Sequence, residues 1–355
     1  MKPIALPGAP RVLIVALRRL GDVLLATPLI RSVKRAYPES SIDALVFAGT
    51  EGILTGNPDL SQVHAIPQRP RGGEALALLL RFYKRYDLAL STQTGDRPTL
   101  IAVIAGRQSA GPLEAAGLAA AVKRLALSRS YVSDRRQHRV LDMLRLTELI
   151  GIPAQTGIVC PAGGARPALA PMQPYAVVHA APMFTYKRWT AGGWRGLAAA
   201  LHERGLGIVV TGAATDRSYL DDIWRDGKVV RADGKTDWPG LSALIAAARV
   251  YIGPDTAITH LAAAVGTPTV ALYGPTDPRL WGPWPQGGLD RPWAAAGTIQ
   301  HRGNVWLVQN PLPCLPCQLE GCERRLDSYS QCLDELTVDQ VLAAVDQALA
   351  VRQAA

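Results

Sequence analysis

The stretch RVLIVALRRLGD, residues 11–22, decides the fold prediction for the first half of the chain. Its first seven residues form a short, β-branched apolar run, which is typical of a buried strand in a parallel sheet. Apolar residues then recur at helical spacing, with Thr27 as the expected cap and Pro28 at the first helical position. Residues 41–47 supply the next strand, so the pattern predicts a strand–helix–strand unit with parallel strands.

Strands and helices continue to alternate along the rest of the chain. Further strands are predicted at 63–66 and 88–92, with a basic helix at 73–86 and an Ala-rich helix at 113–127. Beyond residue 174 we expect strands at 175–179, 207–211, 228–231, 250–253 and 269–273. The helices expected there are 193–204, 217–224, 241–248, 256–265 and 338–351. This alternation favours doubly wound parallel sheets, which bind ligands at the carboxyl ends of their strands.

A change in composition marks the predicted domain boundary. Residues 161–174 contain four prolines and two glycines, which favour turns over regular elements. A chain of 355 residues is also too long for one ordinary α/β core. We therefore expect an N-terminal Rossmann-like domain over 1–165 and a C-terminal one over 172–355, which includes a Cys-rich segment at 310–333 and a C-terminal helix.

Positive charge is concentrated in the first half of the chain. Residues 1–170 carry 22 Lys and Arg against 12 Asp and Glu, whereas residues 171–355 carry 16 against 17. A basic half-molecule indicates an anionic partner, which is nucleic acid, a membrane surface or an acidic substrate. No nucleic-acid module is recognisable and aromatic residues make up only 6% of the chain, so nucleic acid is the least favoured partner. The simpler alternative is a basic surface without a specific partner.

Nothing in the sequence indicates secretion or a membrane span. The first residues lack the apolar core of a signal peptide. Residues 256–276 carry no charged Asp, Glu, Lys or Arg, but glycines, prolines and threonines interrupt them, which predicts a helix, a turn and a strand. We expect a cytoplasmic protein, in which disulfides are not the default state of the five cysteines.

The segment Gly253-Pro-Asp-Thr-Ala-Ile-Thr-His260 follows a predicted strand and opens a helix. First-turn N–H groups at Thr256 and Ala257, with the positive end of the helix dipole, suit a phosphate. In the simplest interpretation Asp255 caps this helix, which is compatible with ligand binding. His260 lies one turn on and would reach a phosphate or a ribose, although a lone helical histidine is more often structural.

Three further polar residues follow predicted strands. Lys187 lies where an ammonium group would neutralise a diphosphate leaving group. Asp22 lies at the first strand-to-helix turn, where a carboxylate would accept the proton of an attacking hydroxyl. Asp216 ends a small-residue turn and suits a ribose diol. The simpler alternatives are a solvated lysine and two helix caps.

Four of the five cysteines cluster as Cys314-x2-Cys317-x4-Cys322-x9-Cys332. Four thiols in so short a segment suit a structural zinc or iron ion in tetrahedral coordination. The intervals are irregular for a zinc ribbon, so reduced or partly oxidised thiols are the alternative.

Together, four segments resemble glycosyltransferase family 9, the heptosyltransferases. They are residues 11–38 with Leu20-Gly-Asp22, residues 179–201 with Lys187-Arg-Trp189, residues 211–216, and residues 253–283 with Asp255-Thr-Ala-Ile-Thr-His260, Gly266-Thr-Pro268 and Tyr273-Gly-Pro-Thr-Asp-Pro278. The Cys-rich tail is similar to that of a subset of the family, some members of which bind metal there.

The resemblance implies a GT-B fold, in which two Rossmann-like domains face a cleft. It also implies inverting, metal-independent transfer of heptose from ADP-heptose to a sugar hydroxyl of the lipopolysaccharide inner core. In this family's terms Asp22 is the base and Lys187 binds phosphate. The implied donor residues are Asp216 on the ribose, Thr236 near the adenine, and Asp255, Thr256, Ala257 and His260 in the donor loop, with Ala257 where glycine is usual.

The expected acceptor is anionic, and the basic first half would bind it at the cytoplasmic leaflet of the inner membrane. The residues expected to contact it are Arg18, Arg19, Arg69, Arg71 and Arg97. Three alternatives stay open. One is a transferase of the same fold that uses another nucleotide sugar or a protein acceptor, another is an enzyme like the sugar-nucleotide 2-epimerases, and the third is a non-catalytic binding scaffold.

Overall fold

The computed structural model describes residues 3–165, 167–225 and 228–353. The chain divides into two compact units, Met1–Pro161 and Ala162–Ala355. Each unit is built on one sheet, and the helices connect its strands.

Unit 1 has an all-parallel sheet with the strand order β3-β2-β1-β4-β5-β6. Its strands are β1 Arg11–Ala16, β2 Ser41–Phe47, β3 Gln62–Ile66, β4 Tyr86–Ser91, β5 Gly106–Leu113 and β6 Arg129–Val132. Its α-helices are α1 Leu20–Leu25, α2 Thr27–Ala36, α3 Glu74–Phe82, α4 Asp96–Ala105, α5 Leu118–Ala126 and α6 Arg139–Ile150. The central strand β1 is apolar from Val12 to Ala16 and buried over that length because helices cover both sides of it.

The helices of unit 1 form two layers. α4 packs against α3 and α5, and α2 packs against α6. Because crossovers between parallel strands are right-handed, α3, α4 and α5 cover one face of the sheet while α2 and α6 cover the other.

Three local predictions in unit 1 are wrong. The basic helix does not run to residue 86, because α3 ends at Phe82 and Tyr86 is the first residue of β4. Thr27 does not cap α2, because it is the first helical residue and Ala26 is the cap. The Thr27 hydroxyl instead donates to the Leu24 carbonyl and accepts from the Val159 N–H, 2.9 Å away. The Ala-rich helix is shorter than 113–127, because β5 runs to Leu113 and α5 begins only at Leu118.

Unit 2 has a mixed sheet with the order β12-β13-β11-β10-β7-β8-β9, in which the edge strand β12 is antiparallel to β13 and the other described pairs are parallel. Its strands are β7 Tyr175–His179, β8 Gly207–Thr211, β9 Val230–Arg231, β10 Val250–Pro254, β11 Thr269–Leu272, β12 Ile299–Arg302 and β13 Val305–Val308. Its α-helices are α7 Ala191–Glu203, α8 Arg217–Ile223, α9 Trp238–Ala246, α10 Ala257–Val265, α11 Pro278–Trp281, α12 Gln331–Asp334 and α13 Val338–Gln353.

The unit 2 core brings the last helix onto the first strands. α13 packs on α7 and on the sheet, where Val341 and Val345 are fully buried. Trp189 and Trp194 meet edge to face in the same core, with ring centroids 5.0 Å apart. The uncharged stretch 256–276 contributes α10 and β11, and no helix among the described residues is long and apolar enough to cross a membrane.

Candidate functional site

The polar residues predicted in the second half lie at one edge of the unit 2 sheet. Five adjacent strands end there, and each is followed by a loop that carries one or more of them. In spatial order the loops after β11, β10, β7, β8 and β9 carry Thr276, Asp255, Lys187, Asp216 and Thr236. This is the carboxyl edge, where open α/β sheets bind their ligands.

Lys187 and Asp255 form a partly buried ion pair across this edge. The Lys187 Nζ donates to Asp255 Oδ2, and it lies 3.5 Å from the Asp255 carbonyl oxygen. Only 17% of the Lys187 side chain and 7% of the Asp255 side chain are exposed. Lys187 is therefore not the solvated lysine of the simpler interpretation, because its ammonium group is fixed at the edge of the sheet.

Two hydroxyl groups complete the surroundings of Asp255. Thr276 donates to Asp255 Oδ2 at 2.7 Å, and the Tyr273 hydroxyl, which donates to the Trp281 carbonyl oxygen at 2.6 Å, lies 3.3 Å from Oδ1. Burial by itself would raise the pKa of Asp255, but the charges of Lys187 and His260 and the hydrogen bonds from Lys187 and Thr276 hold it below its ordinary value. The carboxylate is thus ionised and keeps a cation beside it.

The cap of α10 differs from the prediction. Thr256 is the cap residue, and its hydroxyl oxygen accepts a hydrogen bond from the Thr259 N–H. Ala257 is the first helical residue and Gly266, at φ +93°, ends the helix. Asp255 does not cap the helix because Lys187 and Thr276 donate to its carboxylate. The helix N-terminus that was predicted to bind a phosphate is present, but the helix begins one residue later than predicted, at Ala257.

His260 is buried in the second turn of α10, with 5% of its surface exposed. Its charge is among the causes that lower the pKa of Asp255. His260 is therefore within electrostatic range of the Asp255 carboxylate, which is compatible with both the structural and the ligand-binding interpretations.

Asp216 and Thr236 lie on the loops after β8 and β9. The Asp216 carboxylate accepts a hydrogen bond from the Ala213 N–H at 2.8 Å, so it does cap a short turn. Thr236 is half-buried and immediately precedes Asp237, the cap of α9. The side chain of Asp216 is only half-buried, so the capping role and contact with a ligand are compatible.

His179 ends β7 beside these loops and is buried. Burial lowers its pKa to about 4, against weaker opposing effects of the Asp216 charge and of backbone groups. Its Nδ1 lies 3.1 Å from the Thr211 hydroxyl oxygen and 3.2 Å from the Thr211 carbonyl oxygen. His179 is therefore neutral near pH 7 and ties the ends of β7 and β8 together.

Asp22 lies in unit 1, in the first turn of the helix that follows β1. The cap residue of that helix is Arg19, so the alternative that Asp22 caps it is excluded. Arg18 Nη1 lies 3.3 Å from Asp22 Oδ1, and 19% of the Asp22 side chain is exposed. The carboxylate is thus partly open at the carboxyl edge of the unit 1 sheet.

The arginines predicted to bind an acceptor have different surroundings. Arg19, Arg69 and Arg71 are exposed, and Arg18 is paired with Asp22. Arg97 donates to the carbonyl oxygens of Pro67 and Gln68 at 3.0 and 2.7 Å and lies over the Phe47 ring. Arg97 therefore holds the chain after β3.

The four clustered cysteines are free thiols, and Cys332 is the buried one. Burial raises the pKa of Cys332 to about 12, and the charges of Cys317, Cys322 and Cys314 act in the same direction. The four sulfurs thus share one neighbourhood. No group of three or more His, Cys, Asp or Glu that could hold a metal ion is found among the residues that the structure describes.

The Cys-rich segment is bonded to the loops that form the site. Ser330 donates to the Tyr186 carbonyl at 2.6 Å, next to Lys187. The Gln318 N–H donates to the Pro275 carbonyl at 2.8 Å, next to Thr276. A side chain at Gly274 would collide with Leu333 and approach the Cys332 sulfur. The segment therefore supports the loops on both sides of Asp255.

Tyr273 and Thr276 are site residues that the sequence reasoning quoted in a motif without assigning them a role. A hydroxyl residue in the loop after a strand was the available signal. The role of these hydroxyl residues could be recognised only once the sheet order was known, because β11 lies next to β10 and brings the loops after these two strands together.

Two solved structures share this fold over nearly the whole chain. The E. coli heptosyltransferase WaaC with ADP has a TM-score of 0.72 at 21% identity, and the match covers 95% of this chain and 99% of that chain. The iron-containing dodecameric glycosyltransferase TibC from enterotoxigenic E. coli has a TM-score of 0.58 at 14% identity, with 98% and 78% covered. The predicted fold class, GT-B, is confirmed.

Two relatives with assigned functions are similar in sequence. Lipopolysaccharide heptosyltransferase 3 of Escherichia coli is 27% identical over 306 residues, which span 74% of this chain and 83% of the relative. Lipopolysaccharide heptosyltransferase 1 of Pseudomonas aeruginosa PAO1 is 26% identical over 352 residues, which span 94% and 93%.

The family comparison agrees with the resemblance inferred from the motifs. The model of glycosyltransferase family 9 (heptosyltransferase) matches residues 79–288, more than half of the chain, and includes the loops of Lys187, Asp216 and Asp255. The chain therefore belongs to glycosyltransferase family 9, the heptosyltransferases, and is a glycosyltransferase.

Proposed function

We propose that the protein transfers heptose from ADP-heptose to a sugar hydroxyl of the lipopolysaccharide inner core, with inversion at the anomeric carbon. The observation that carries this proposal is the Lys187–Asp255 ion pair beside the N-terminus of α10. It supplies a fixed cation and helix N–H groups at one place, which suits a nucleoside diphosphate. Family membership and the similarity to lipopolysaccharide heptosyltransferases support heptose as the sugar and lipopolysaccharide as the acceptor.

The donor diphosphate would bind between Lys187 and the first turn of α10. An ammonium group has three N–H donors. The Lys187 ammonium group faces two oxygens of Asp255, which are the carboxylate Oδ2 and the backbone carbonyl oxygen. A further donor remains for a phosphate oxygen, and the N–H of Ala257 has no partner within its helix. His260, whose charge acts on Asp255, would contribute to the same anion site, while Asp216 would bind the ribose and Thr236 would lie near the adenine.

The chemical step in this proposal is a direct displacement. Asp22 takes the proton of the acceptor hydroxyl as its oxygen forms a bond to the anomeric carbon. The bond from that carbon to the ADP oxygen breaks on the opposite face, and ADP leaves as an anion. Lys187 and the N-terminus of α10 stabilise the negative charge that develops on the leaving group, so no metal ion is required.

The two units would divide the substrates between them. We propose that residues 1–165 bind the anionic acceptor, with Arg18, Arg19, Arg69 and Arg71 near its charged groups, and that residues 172–355 bind the donor. Arg97 would act by holding the chain after β3 in place. The acceptor would be met at the cytoplasmic leaflet of the inner membrane, with which the protein makes peripheral contact.

We further propose that Cys314, Cys317, Cys322 and Cys332 hold a structural zinc or iron ion. Four thiolates are a suitable donor set, and metal binding would lower the raised pKa of Cys332. The segment would have to tighten around the ion, since its side chains do not form a ready metal site among the described residues. The solved structure of TibC, described as iron-containing, has the same fold.

The cysteine proposal is tested by metal analysis of protein purified under reducing conditions. The intact chain should contain about one zinc or iron per molecule, and Cys314→Ser/Cys317→Ser should contain none. Cys160→Ser, which alters the cysteine outside the cluster, is the matched control and should keep the metal. Metal-free intact protein would refute the proposal.

The proposed function is tested by nucleotide binding and turnover. ADP should raise the melting temperature more than UDP or GDP at equal concentration, because stabilisation follows the ratio of ligand concentration to Kd. With ADP-heptose and a deacylated inner-core acceptor the protein should release ADP, and without acceptor the release should stop. Preference for UDP, or turnover of the donor alone, would refute the assignment.

A further inference from the structure

Helix α5 exposes its large apolar side chains and buries its lysine. Its inward side carries Lys123, of which 6% is exposed, while Leu118 is 83% exposed, Val122 57% and Leu125 89%. Helices on the surface of a protein in water normally bury the apolar side chains and expose the lysine. A surface that inverts this rule over a whole helix suggests that something other than water covers it.

The buried lysine fixes this orientation. Its ammonium group donates to Glu114 Oε1 at 2.8 Å and to the Thr94 carbonyl, and it lies 2.7 Å from Asp96 Oδ1. Burial by itself would lower the pKa of Lys123, but the hydrogen bonds and charges of Asp96 and Glu114 raise it. Turning α5 over would bury its leucines but break the contacts of Lys123 with Asp96, Glu114 and the Thr94 carbonyl, so these contacts favour the orientation with the leucines outside.

Helix α3 presents a second exposed row with the same spacing. Leu76 and Leu80 are 63% and 67% exposed, and Tyr83, directly after the helix, is 64% exposed. In both rows the three residues follow one another at intervals of four and three, which places those within a helix on one side of it. α3 and α5 flank α4 in the same layer of unit 1. We call the six residues Leu76, Leu80, Tyr83, Leu118, Val122 and Leu125 the apolar ridges.

Positive charge surrounds the apolar ridges. Residues 67–126 contain nine Lys and Arg but four Asp and Glu, and two of those acids are held by Lys123. Arg85 follows α3 and Arg124 lies in α5, and both are exposed. Leucines beside arginines match a bilayer with acidic lipids, which offers phosphates outside and hydrocarbon beneath. A second copy of this chain fits less well, because two such basic faces repel each other.

We propose that the α3–α5 face of unit 1 docks on an anionic lipid bilayer. The apolar ridges enter the boundary between headgroups and acyl chains, and Arg85 and Arg124 lie among the lipid phosphates. This inference rests on the membrane contact in the proposed function and names the surface that makes it. None of the six residues belongs to the proposed donor or base machinery.

Vesicle co-sedimentation of the full chain tests the proposal. The chain should bind vesicles containing phosphatidylglycerol at least tenfold more tightly than vesicles of phosphatidylcholine alone. Leu118→Ser/Val122→Ser/Leu125→Ser should lose at least tenfold in binding to the acidic vesicles. The matched control, Met172→Ser/Leu326→Ser, changes exposed apolar residues of unit 2 and should bind like the unaltered chain.

A second readout reports insertion directly. The fluorescence of a tryptophan placed by Leu125→Trp should shift to shorter wavelength on acidic vesicles, whereas Leu326→Trp should show no shift. Absence of binding by the unaltered chain, or equal binding by the triple variant, overturns the proposal. The proposal is also overturned if the triple substitution changes the oligomeric state from dimer to monomer and leaves vesicle binding unchanged, because the apolar ridges would then contact a second copy of the chain.

The proposed function is separated from this inference by a water-soluble acceptor. Transfer to a deacylated acceptor, without vesicles, should be the same for the triple variant and the unaltered chain. Vesicle binding without any transfer would refute the function alone, and transfer without vesicle binding would refute the docking alone.

Discussion

The ammonium group of Lys187 is held by the buried carboxylate of Asp255, which lies 68 residues further along the chain. The two residues follow β7 and β10, which are neighbours in the sheet. The pair thus connects two loops at the ligand-binding edge of the unit, and it gives the N-terminus of α10 a cation in addition to the helix dipole.

Removal of the Lys187 charge should weaken ADP binding. For Lys187→Met we expect a loss of about tenfold to a hundredfold in ADP affinity, because a charge-assisted hydrogen bond is worth about 1.5–3 kcal/mol. Isothermal calorimetry measures this directly. Lys228→Met removes the same charge at an exposed position of the unit and should leave the affinity unchanged. Equal affinities in the two variants would contradict the role of Lys187.

The same variant should change how stability depends on pH. In the intact chain the pKa of Asp255 lies below its ordinary value, so its contribution to stability is present above about pH 4 and is lost as the pH falls further. Without Lys187 the buried carboxylate is uncompensated, and we expect about 3–5 kcal/mol of destabilisation at pH 7.5. The difference in stability between Lys187→Met and the intact chain should shrink towards pH 4.5, where the Asp255 carboxyl of the variant becomes protonated.

Urea unfolding at the two pH values measures this deficit. The double variant Lys187→Met/Asp255→Asn should recover much of the stability at pH 7.5, since it carries no buried charge at this pair. A deficit that is independent of pH would show that Lys187 acts through packing.

Substitution of the proposed base should affect turnover and leave donor binding unchanged. For Asp22→Asn we expect kcat to fall by about a hundredfold to ten-thousandfold, the range for loss of a general base. The affinity for ADP should not change, because Asp22 lies in unit 1 and the donor residues lie in unit 2. Glu39→Gln, at an exposed site of unit 1, is the matched control. Full activity of Asp22→Asn would exclude the assignment.

His179 should make the protein sensitive to mild acid. Burial lowers its pKa to about 4, so unfolded chains take up a proton below about pH 6.5 before folded ones do. Stability that is present above pH 6.5 is therefore lost as the pH falls towards 4, by about 3 kcal/mol in total. His179→Gln should flatten this part of the stability profile, whereas His202→Gln, on the half-exposed end of α7, should leave it steep.

The sequence predicted the strands that are apolar and central. β2, β7 and β8 begin and end where expected, because most of their side chains are apolar and nearly all of their residues are buried. β5 escaped prediction, since Gly106-Arg-Gln-Ser-Ala-Gly-Pro-Leu113 has no apolar run. A side chain at Gly106 would meet the Ala89 backbone at 2.8 Å, so the close approach of β4 explains the glycine.

The loops that form the site could be predicted from the sequence, whereas the hydrogen bonds and the ion pair between these loops could not. Strand order places the loops after β7, β10 and β11 together, and the polar residues in them were recognisable. Asp255 and Thr256 are both good cap residues, so local preference does not decide between them. The decision comes from Lys187 and Thr276, which are distant in sequence and reach Asp255 only in the folded unit.

The inverted side of α5 also bears on how unit 1 opens. Hydrophobic burial usually contributes most to holding a helix on its sheet, but α5 buries little apart from Ala120 and the stem of Lys123. Its amides should therefore exchange with solvent through local opening at a lower free energy than those of α2, whose Leu29, Ile30 and Val33 are fully covered. In water α5 is the loosely held part of this layer, and a surface that covers its leucines would also steady its backbone.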